Sequence, residues 1–406
     1  MMPLNFIAPL GIVQDHTDPS LGAIDWSLAA AFHSPANASA GCAQIRALLA
    51  PKSCRRFIAE HWETAPHVVR GAALHSEAGA GLGFGGGLLR VADLARLARH
   101  WEFKVAADHA QVRMIPENSF SHDEAGWADG APVRAADLRR AHARNCTVVM
   151  HNVELYHPPI GALALALMRT FGVYSQSNVY YSPPGVAAAV HAHQDAQSVF
   201  VVQCVGAKRW ELFEPPQRWR LRQTQRGKGG DVAPAADLAA PLLDVTLYPG
   251  DVLFVPRGTY HRTSTAPSSG ATLHVTSGVE TDTDDFTWFS LLSEAAASLV
   301  ADSDADVRDV RSKFEAAQYH HEGLREALPL ALCRPPASFR THAHGRTWLA
   351  RAAELLDLAL VARPAAGALA AALDAALARR QAFVERKRLQ LVEFMPLGLE
   401  LAYDGT

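Results

Sequence analysis

The chain has 406 residues, of which 49% are hydrophobic and 19% are charged, and its formal net charge is −3 at pH 7. This composition is typical of a globular protein with a substantial core, and it excludes a disordered or fibrous chain. The small negative charge also excludes a general basic field of the kind that binds nucleic acid. We therefore expect no direct contact with nucleic acid.

The sequence also indicates the cellular compartment of the protein. The first basic residue is Arg46, and no apolar run approaches the roughly 18 residues that a transmembrane helix needs. We predict no signal peptide, no membrane contact and an intracellular, cytoplasmic location. Five cysteines without CxxC spacing predict neither a zinc ribbon nor a disulfide framework, which favours a reducing compartment. They are Cys42, Cys54, Cys146, Cys204 and Cys333.

Helical spacing of apolar residues dominates the first part of the chain. It predicts helical segments at residues 41–62, 88–101 and 135–144, and another after the pair Pro158-Pro159. The glycine-rich stretch at 71–87 has no GK[ST] sequence and no preceding strand, so we interpret it as a flexible loop rather than a phosphate-binding one.

The pattern changes after residue 175. Up to about residue 279 the chain is rich in Val, Phe, Tyr and Thr, with Pro and Gly marking turns, which predicts short strands of a barrel or jelly roll. Residues 225–241 predict a long loop within this region, and helical spacing returns beyond 283. We predict three regions: a helical or mixed one at 1–146, a β domain at 147–282, and helices at 283–406.

A His-x-Asp pair lies near the middle of the β region. Side chains repeat every second residue along a strand, so His193 and Asp195 are predicted to point to the same face. An imidazole and a carboxylate that converge inside a barrel suit a redox metal such as Fe(II).

The third ligand is predicted from Pro256-Arg-Gly258-Thr-Tyr-His261, a turn followed by a histidine after an apolar strand. In a double-stranded β-helix this late strand lies beside the one that carries His-x-Asp. His193, Asp195 and His261 would then occupy one face of an octahedron and leave three positions for a bidentate co-substrate and O2.

His191 offers a different ligand set, because His191-Ala-His193 resembles the His-x-His of other cupins. Those sites usually add a Glu four or five residues after the second histidine. Positions 197–199 are Gln, Ser and Val, which favours the His-x-Asp site. His191 could line the pocket entrance or have no role.

Several motifs in order resemble the JmjC-type ribosomal oxygenases, a branch of the cupin superfamily. They are SNVYYSPPG, HQDAQSVFVVQCVGAKRWELFEP, YPGDVLFVPRGTYH and TLHVTSGV. The resemblance is strongest over about residues 147–280, and a fainter resemblance lies in FIAEHWETAPHVVRG at 57–71. The resemblance implies a double-stranded β-helix of the JmjC and cupin type, with Fe(II) bound by His193, Asp195 and His261 and with 2-oxoglutarate as co-substrate.

By this resemblance Lys208 would bind the distal carboxylate of 2-oxoglutarate. Strand parity agrees, because Lys208 shares a face with Trp210 while Arg209 should face outward. Asn178 and Tyr180 match positions that line the co-substrate pocket, although a turn-capping Asn and a packing Tyr are neutral alternatives. His274 also matches a family position, but a core histidine on the last strand is the simpler interpretation.

The resemblance implies a dioxygenase that hydroxylates a polypeptide side chain and releases succinate and CO2. A His or Arg of a ribosomal protein is the leading substrate, and another peptide or a natural product is the alternative. Lysine demethylation uses the same chemistry. Two candidates from other classes are a non-catalytic cupin-like scaffold and a non-redox metal isomerase. Flanking helices often dimerise in this family, so we expect a homodimer.

Overall fold

The computed structural model describes the chain from residue 42 to residue 402 with several gaps. The described residues are 42–71, 88–100, 112–117, 127, 130–214, 233–281, 286–300, 303–334, 338–359, 361 and 364–402. The predicted glycine-rich loop lies outside them except for Gly71. Of the predicted loop at 225–241, only residues 233–241 are described.

The first described elements form a small layer against the β core. The predicted helical segment at 41–62 is two short helices, α1 (Arg46–Leu49) and α2 (Cys54–Glu60), which are separated at Pro51. A proline has no amide hydrogen with which to continue the helical bonding. Phe57 on α2 is fully buried, and its ring contacts Phe200 and Phe254 of the core.

Three longer helices follow where apolar spacing predicts them, α3 (Val91–His100), α4 (Ala135–Ala143) and α5 (Pro158–Phe171). Proline occupies the first turn of α5, where its missing amide hydrogen has no effect on the helix. Gly172 ends α5 with a φ of 71°, a left-handed conformation that suits glycine. Because nearly every residue of α5 is buried, this helix is part of the core.

The described residues include eleven strands, which form the core. They are β1 (His67–Val69), β2 (Val112–Ile115), β3 (Thr147–Met150), β4 (Ser175–Ser182), β5 (Val190–His193), β6 (Ser198–Val205), β7 (Lys208–Phe213), β8 (Pro241–Leu247), β9 (Val252–Val255), β10 (Tyr260–Ser264) and β11 (Thr272–Val279). The major sheet has the order β1-β9-β6-β11-β4-β3-β2, and the minor sheet has the order β5-β10-β7-β8. All pairings between these strands are antiparallel.

The two sheets share a core, since Val201 and Leu253 of the major sheet pack with Trp210 and Leu247 of the minor sheet. Alternate residues of each strand face this core. The predicted mainly β core with helical flanks is confirmed. The predicted N-terminal region contributes β1 and β2 to the major sheet, while the predicted boundaries at 146 and 282 stay predictions.

Six helices are described after the β core. They are α6 (Trp288–Val300), α7 (Asp304–His320), α8 (Glu322–Arg325), α9 (Leu330–Cys333), α10 (Gly345–Leu358) and α11 (Ala366–Ala402). The long helix α11 packs against α5 and α6, and Arg380 on α11 forms an ion pair with Glu294 on α6. Within the residues that the structure describes, no helix has the length and apolar character to span a membrane.

One prediction about the cysteines is wrong. Cys42 and Cys54 form a disulfide, with their Cα atoms 5.7 Å apart. Such a bond depends on the distance between the two Cα atoms and on the directions of their Cβ atoms, which a separation of 12 residues along the chain does not reveal. Cys146, Cys204 and Cys333 are free thiols.

Gly206 and Gly270 provide a test of the strand connections. Both have left-handed φ values, of 65° and 66°. A Cβ on Gly206 would lie 2.3 Å from the backbone oxygen of Ala271, whereas a Cβ on Gly270 would have no described atom within 4 Å.

Gly270→Ala should lower the free energy of unfolding by about 1 kcal/mol through φ alone. Gly206→Ala should lower it clearly more. Urea unfolding measures both, and equal losses would contradict this prediction.

Candidate metal centre and buried pocket

Three strand ends bring the predicted metal ligands together. His193 is the last residue of β5, Asp195 lies two residues later in the turn before β6, and His261 is the second residue of β10. The antiparallel register of β5 and β10 pairs His193 directly with His261. Asp195 therefore reaches the site from a turn, whereas the sequence pattern predicts it on the same strand as His193.

The ligand atoms of these residues are mutually close. Nε2 of His193 lies 3.8 Å from Oδ1 of Asp195, and Nε2 of His261 lies 3.6 Å from Oδ2. These distances are too long for hydrogen bonds. The distances between these ligand atoms suit two ligands of one metal ion, because metal bonds to His and carboxylate are about 2.1 Å each. Within the described ranges, no other group of three or more His, Cys, Asp or Glu residues meets in this way.

The turn before β10 orients two of these residues. Nδ1 of His261 donates to the backbone oxygen of Thr259 at 3.1 Å, since a carbonyl can only accept. This bond fixes the tautomer and directs the lone pair of Nε2 toward Asp195. The backbone nitrogen of Gly258, whose φ is 81°, donates to the backbone oxygen of Asp195 at 3.0 Å.

Lys208 lies in the same pocket and is almost fully buried. Its Nζ donates to Oγ of Ser182 at 3.0 Å, and this hydroxyl is 3.1 Å from Oγ1 of Thr147. Burial lowers the pKa of Lys208 to about 7, because a charged group loses its hydration. In the described part of the chain, no carboxylate forms an ion pair with this ammonium. Its neighbour Arg209 faces outward and binds Asp244, as strand parity predicts.

Two further polar groups in the pocket were not predicted as site residues. Trp210 lies between His261 and His274, with ring centroids 5.8 Å and 5.4 Å away. Nε1 of Trp210 and Nδ1 of His274 are buried and have no hydrogen-bond partner among the described residues. Burial, followed by the charge of Lys208, lowers the pKa of His274 well below its usual value, so this imidazole is neutral. Strand parity with Lys208 is the sequence signal that identifies Trp210.

The structure places Tyr180 and Asn178 differently, although both lie on one face of β4. Tyr180 lines the pocket, where its ring stacks on His274 with centroids 4.8 Å apart. Burial, and then the charge of Asp195, raise the pKa of Tyr180. Asn178 does not line the pocket, and its Oδ1 lies 3.1 Å from Nδ1 of His151. The side chain of His191 lies outside the described residues.

The pocket therefore has two chemically distinct parts. One part holds the His193, Asp195 and His261 triad. The other holds the buried Lys208 beside polar groups that have no hydrogen-bond partner in the described part of the chain. The full lining is Tyr180, His193, Asp195, Val199, Lys208, Trp210, His261, Thr263, His274 and Thr276.

Comparison with known proteins gives the class of this domain. Residues 159–285 match the family model described as the JmjC domain. This match agrees with the resemblance that the sequence motifs indicate, and the β core has the JmjC type of cupin fold.

Several curated proteins are similar to part of this chain. The protein named "Bifunctional lysine-specific demethylase and histidyl-hydroxylase NO66" of Drosophila mojavensis is 32% identical over 186 residues, which are 46% of this chain and 18% of the relative. "Ribosomal oxygenase 1" of Gallus gallus is 28% identical over 241 residues, which are 57% of this chain and 36% of the relative. The chain thus spans well under half the length of these relatives.

Solved structures of a bacterial protein are also similar. The chain titled "X-Ray structure of E. coli ycfD" is 18% identical, with a TM-score of 0.40 and 69% of each chain covered. The structure titled "Structure of YcfD a Ribosomal oxygenase from Escherichia coli in complex with Cobalt and 2-oxoglutarate" is 19% identical, with a TM-score of 0.38. It covers 71% of this chain and 76% of that one.

The lowered pKa of Lys208 makes stability depend on pH. The unfolded chain holds this proton up to a pKa near 10.5, whereas the folded chain without co-substrate releases it near 7. The unfolded state therefore binds more protons between these values, and stability rises with pH there. Over this range Lys208 should raise the free energy of unfolding by about 1.4 kcal/mol per pH unit, because the unfolded state binds about one more proton than the folded state.

Lys208→Met isolates this effect, because it removes the titrating group and keeps a long side chain. The advantage of this variant over the wild type in urea unfolding should be largest near pH 7 and should vanish toward pH 10. A constant difference across this range would show that the ammonium is not desolvated.

Proposed function

We propose that this chain is an Fe(II)- and 2-oxoglutarate-dependent oxygenase that hydroxylates a polypeptide side chain. One observation carries the proposal. A single pocket holds a triad of two histidines and one aspartate together with Lys208, a buried cation that has no carboxylate partner among the described residues.

The donor set fits iron. Two imidazole nitrogens and a carboxylate oxygen are the ligands typical of non-haem Fe(II) sites, and His193, Asp195 and His261 would hold the metal. Bound iron would supply the oxidation of the substrate by O2, coupled to the conversion of 2-oxoglutarate to succinate and CO2. The bond from His261 to Thr259 keeps one ligand in the tautomer that a metal needs.

The groups around Lys208 fit the distal carboxylate of 2-oxoglutarate. An anion there would restore a partner to the desolvated ammonium, whose one described hydrogen bond goes to Ser182. Nε1 of Trp210 could donate a further hydrogen bond, because it is buried and no residue that the structure describes accepts from it. Tyr180 and the neutral His274 form the wall beside it. We keep Asn178 as a supporting residue, since it approaches the pocket only through Tyr180.

For the substrate, we propose a His or Arg side chain of a ribosomal protein. The support is the names of two relatives, "Ribosomal oxygenase 1" and a "histidyl-hydroxylase". Another peptide or a natural product is the second candidate. Lysine demethylation would proceed by the same chemistry, since hydroxylation of an N-methyl group releases formaldehyde. The homodimer and the lack of contact with nucleic acid remain predictions.

Substitution of Lys208 tests the co-substrate site. In Lys208→Ala the half-saturating concentration of 2-oxoglutarate should rise on the order of 100-fold, because a buried charge partner is lost. Metal binding should persist, because Lys208 is not a ligand. Arg209→Ala is the matched control. It removes the neighbouring cation on the outer face, so it should leave 2-oxoglutarate binding unchanged.

The assay is succinate formation by the purified chain with Fe(II), ascorbate and 2-oxoglutarate, alongside a titration of 2-oxoglutarate binding. If the wild-type chain shows neither succinate formation nor 2-oxoglutarate binding, the non-catalytic scaffold is the better interpretation. Loss of metal from Lys208→Ala would contradict its assignment to the co-substrate.

The substrate class has its own test. Ribosomal proteins from cells with and without this gene should differ by the mass of one oxygen atom on one His or Arg, as measured by tandem mass spectrometry. An unchanged ribosome would favour the peptide or natural-product substrate instead. A loss of methyl groups from lysine would favour the demethylase.

A further inference from the structure

A buried ion pair lies directly behind the metal centre, and one of its partners comes from outside the JmjC match. Nε of Arg257 lies 2.7 Å from Oε2 of Glu63. The exposed fractions of these two side chains are 1% and 8%. Arg257 belongs to the turn between β9 and β10, whereas Glu63 follows helix α2.

The same ion pair connects both segments that carry metal ligands. Oγ of Ser198 donates to Oε1 of Glu63 at 3.1 Å and accepts from the backbone nitrogen of Arg257 at 3.1 Å. Ser198 begins β6, three residues after Asp195. The next two residues of the turn are Gly258, which binds the backbone of Asp195, and Thr259, which accepts from His261.

The C-terminal helices complete this arrangement. Nη2 of Arg257 donates to the backbone oxygen of Arg325 at 2.7 Å, at the end of α8. Residues before and after the JmjC domain therefore hold the turn that positions the ligands. Glu63 occupies a left-handed conformation with a φ of 59°, which is uncommon for a residue with a side chain. The buried contacts of its carboxylate compensate for this backbone conformation.

We propose that Glu63 is a positioning residue for the metal centre. Its carboxylate neutralises Arg257 and, through Arg257 and Ser198, holds the turn that supports Asp195 and His261. This inference rests on the proposed function, because it assumes that the triad binds a metal. Groups behind metal ligands commonly change metal affinity when they are removed, since they set the orientation of the ligands.

The experiment is a titration of the purified full chain with Co(II). Calorimetry measures the Co(II) affinity, and visible absorption reports the geometry of the ligands. Glu63→Gln keeps the shape of the side chain and removes its charge. We expect its Co(II) affinity to fall about 10-fold, with altered visible bands. Glu294→Gln is the matched control, because it breaks an Arg–Glu pair between α6 and α11, whose residues do not line the pocket. It should lower thermal stability and leave Co(II) affinity unchanged.

Ser198→Ala is the second variant, in case Glu63→Gln does not fold. It removes the hydroxyl that joins Glu63 to the backbone of Arg257 and keeps the ion pair, so its affinity should fall by a smaller factor. If Glu63→Gln folds and binds Co(II) with wild-type affinity, the inference is overturned. If Glu63→Gln does not fold, wild-type Co(II) affinity in Ser198→Ala overturns it instead. Absence of Co(II) binding in the wild type would instead contradict the proposed function, so the two failures are distinguishable.

Discussion

The register of strand β10 is the constraint on which the rest of the site depends. β10 pairs with β5 on one side and with β7 on the other, so that His261 is opposite both His193 and Leu212. Because side chains alternate between the faces of a sheet, a shift of one residue would turn His261 away from its partner. The same strand thereby aligns the candidate metal ligand His261 with β7, the strand that carries Lys208 and Trp210.

Buried charge distinguishes the site from the rest of the core. Glu63 and Arg257 neutralise each other behind the metal centre, whereas Lys208 has a hydroxyl but no described carboxylate. Removing an ion from water costs several kcal/mol unless a partner compensates. The fold therefore places a lysine where its charged form is unfavourable, a departure from ordinary core packing of the kind that proteins show at functional sites. An anionic ligand would remove this cost, which connects the electrostatics of the pocket with the proposed co-substrate.

The sequence predicted much of the site because strand alternation is a local property. The inward direction of Lys208 and the outward direction of Arg209 follow from β7 alone. Other features needed distances between remote segments. Asp195 reaches the triad from a turn, His274 forms a pocket wall rather than an isolated core position, and Asn178 does not line the pocket. The contact between Glu63 and Arg257 has no local signal, because the two residues are distant in sequence.

By itself the sequence predicted the JmjC-type core, the three candidate metal ligands and Lys208 beside them, because motif order and strand alternation are local patterns along the chain. Only the tertiary structure decided which groups meet around them. It joined Cys42 to Cys54, stacked Tyr180 on His274, and placed Glu63 behind the metal centre. The physical reason is that sheet register and layer packing set these contacts between segments that are far apart in sequence, and local patterns carry no information about them.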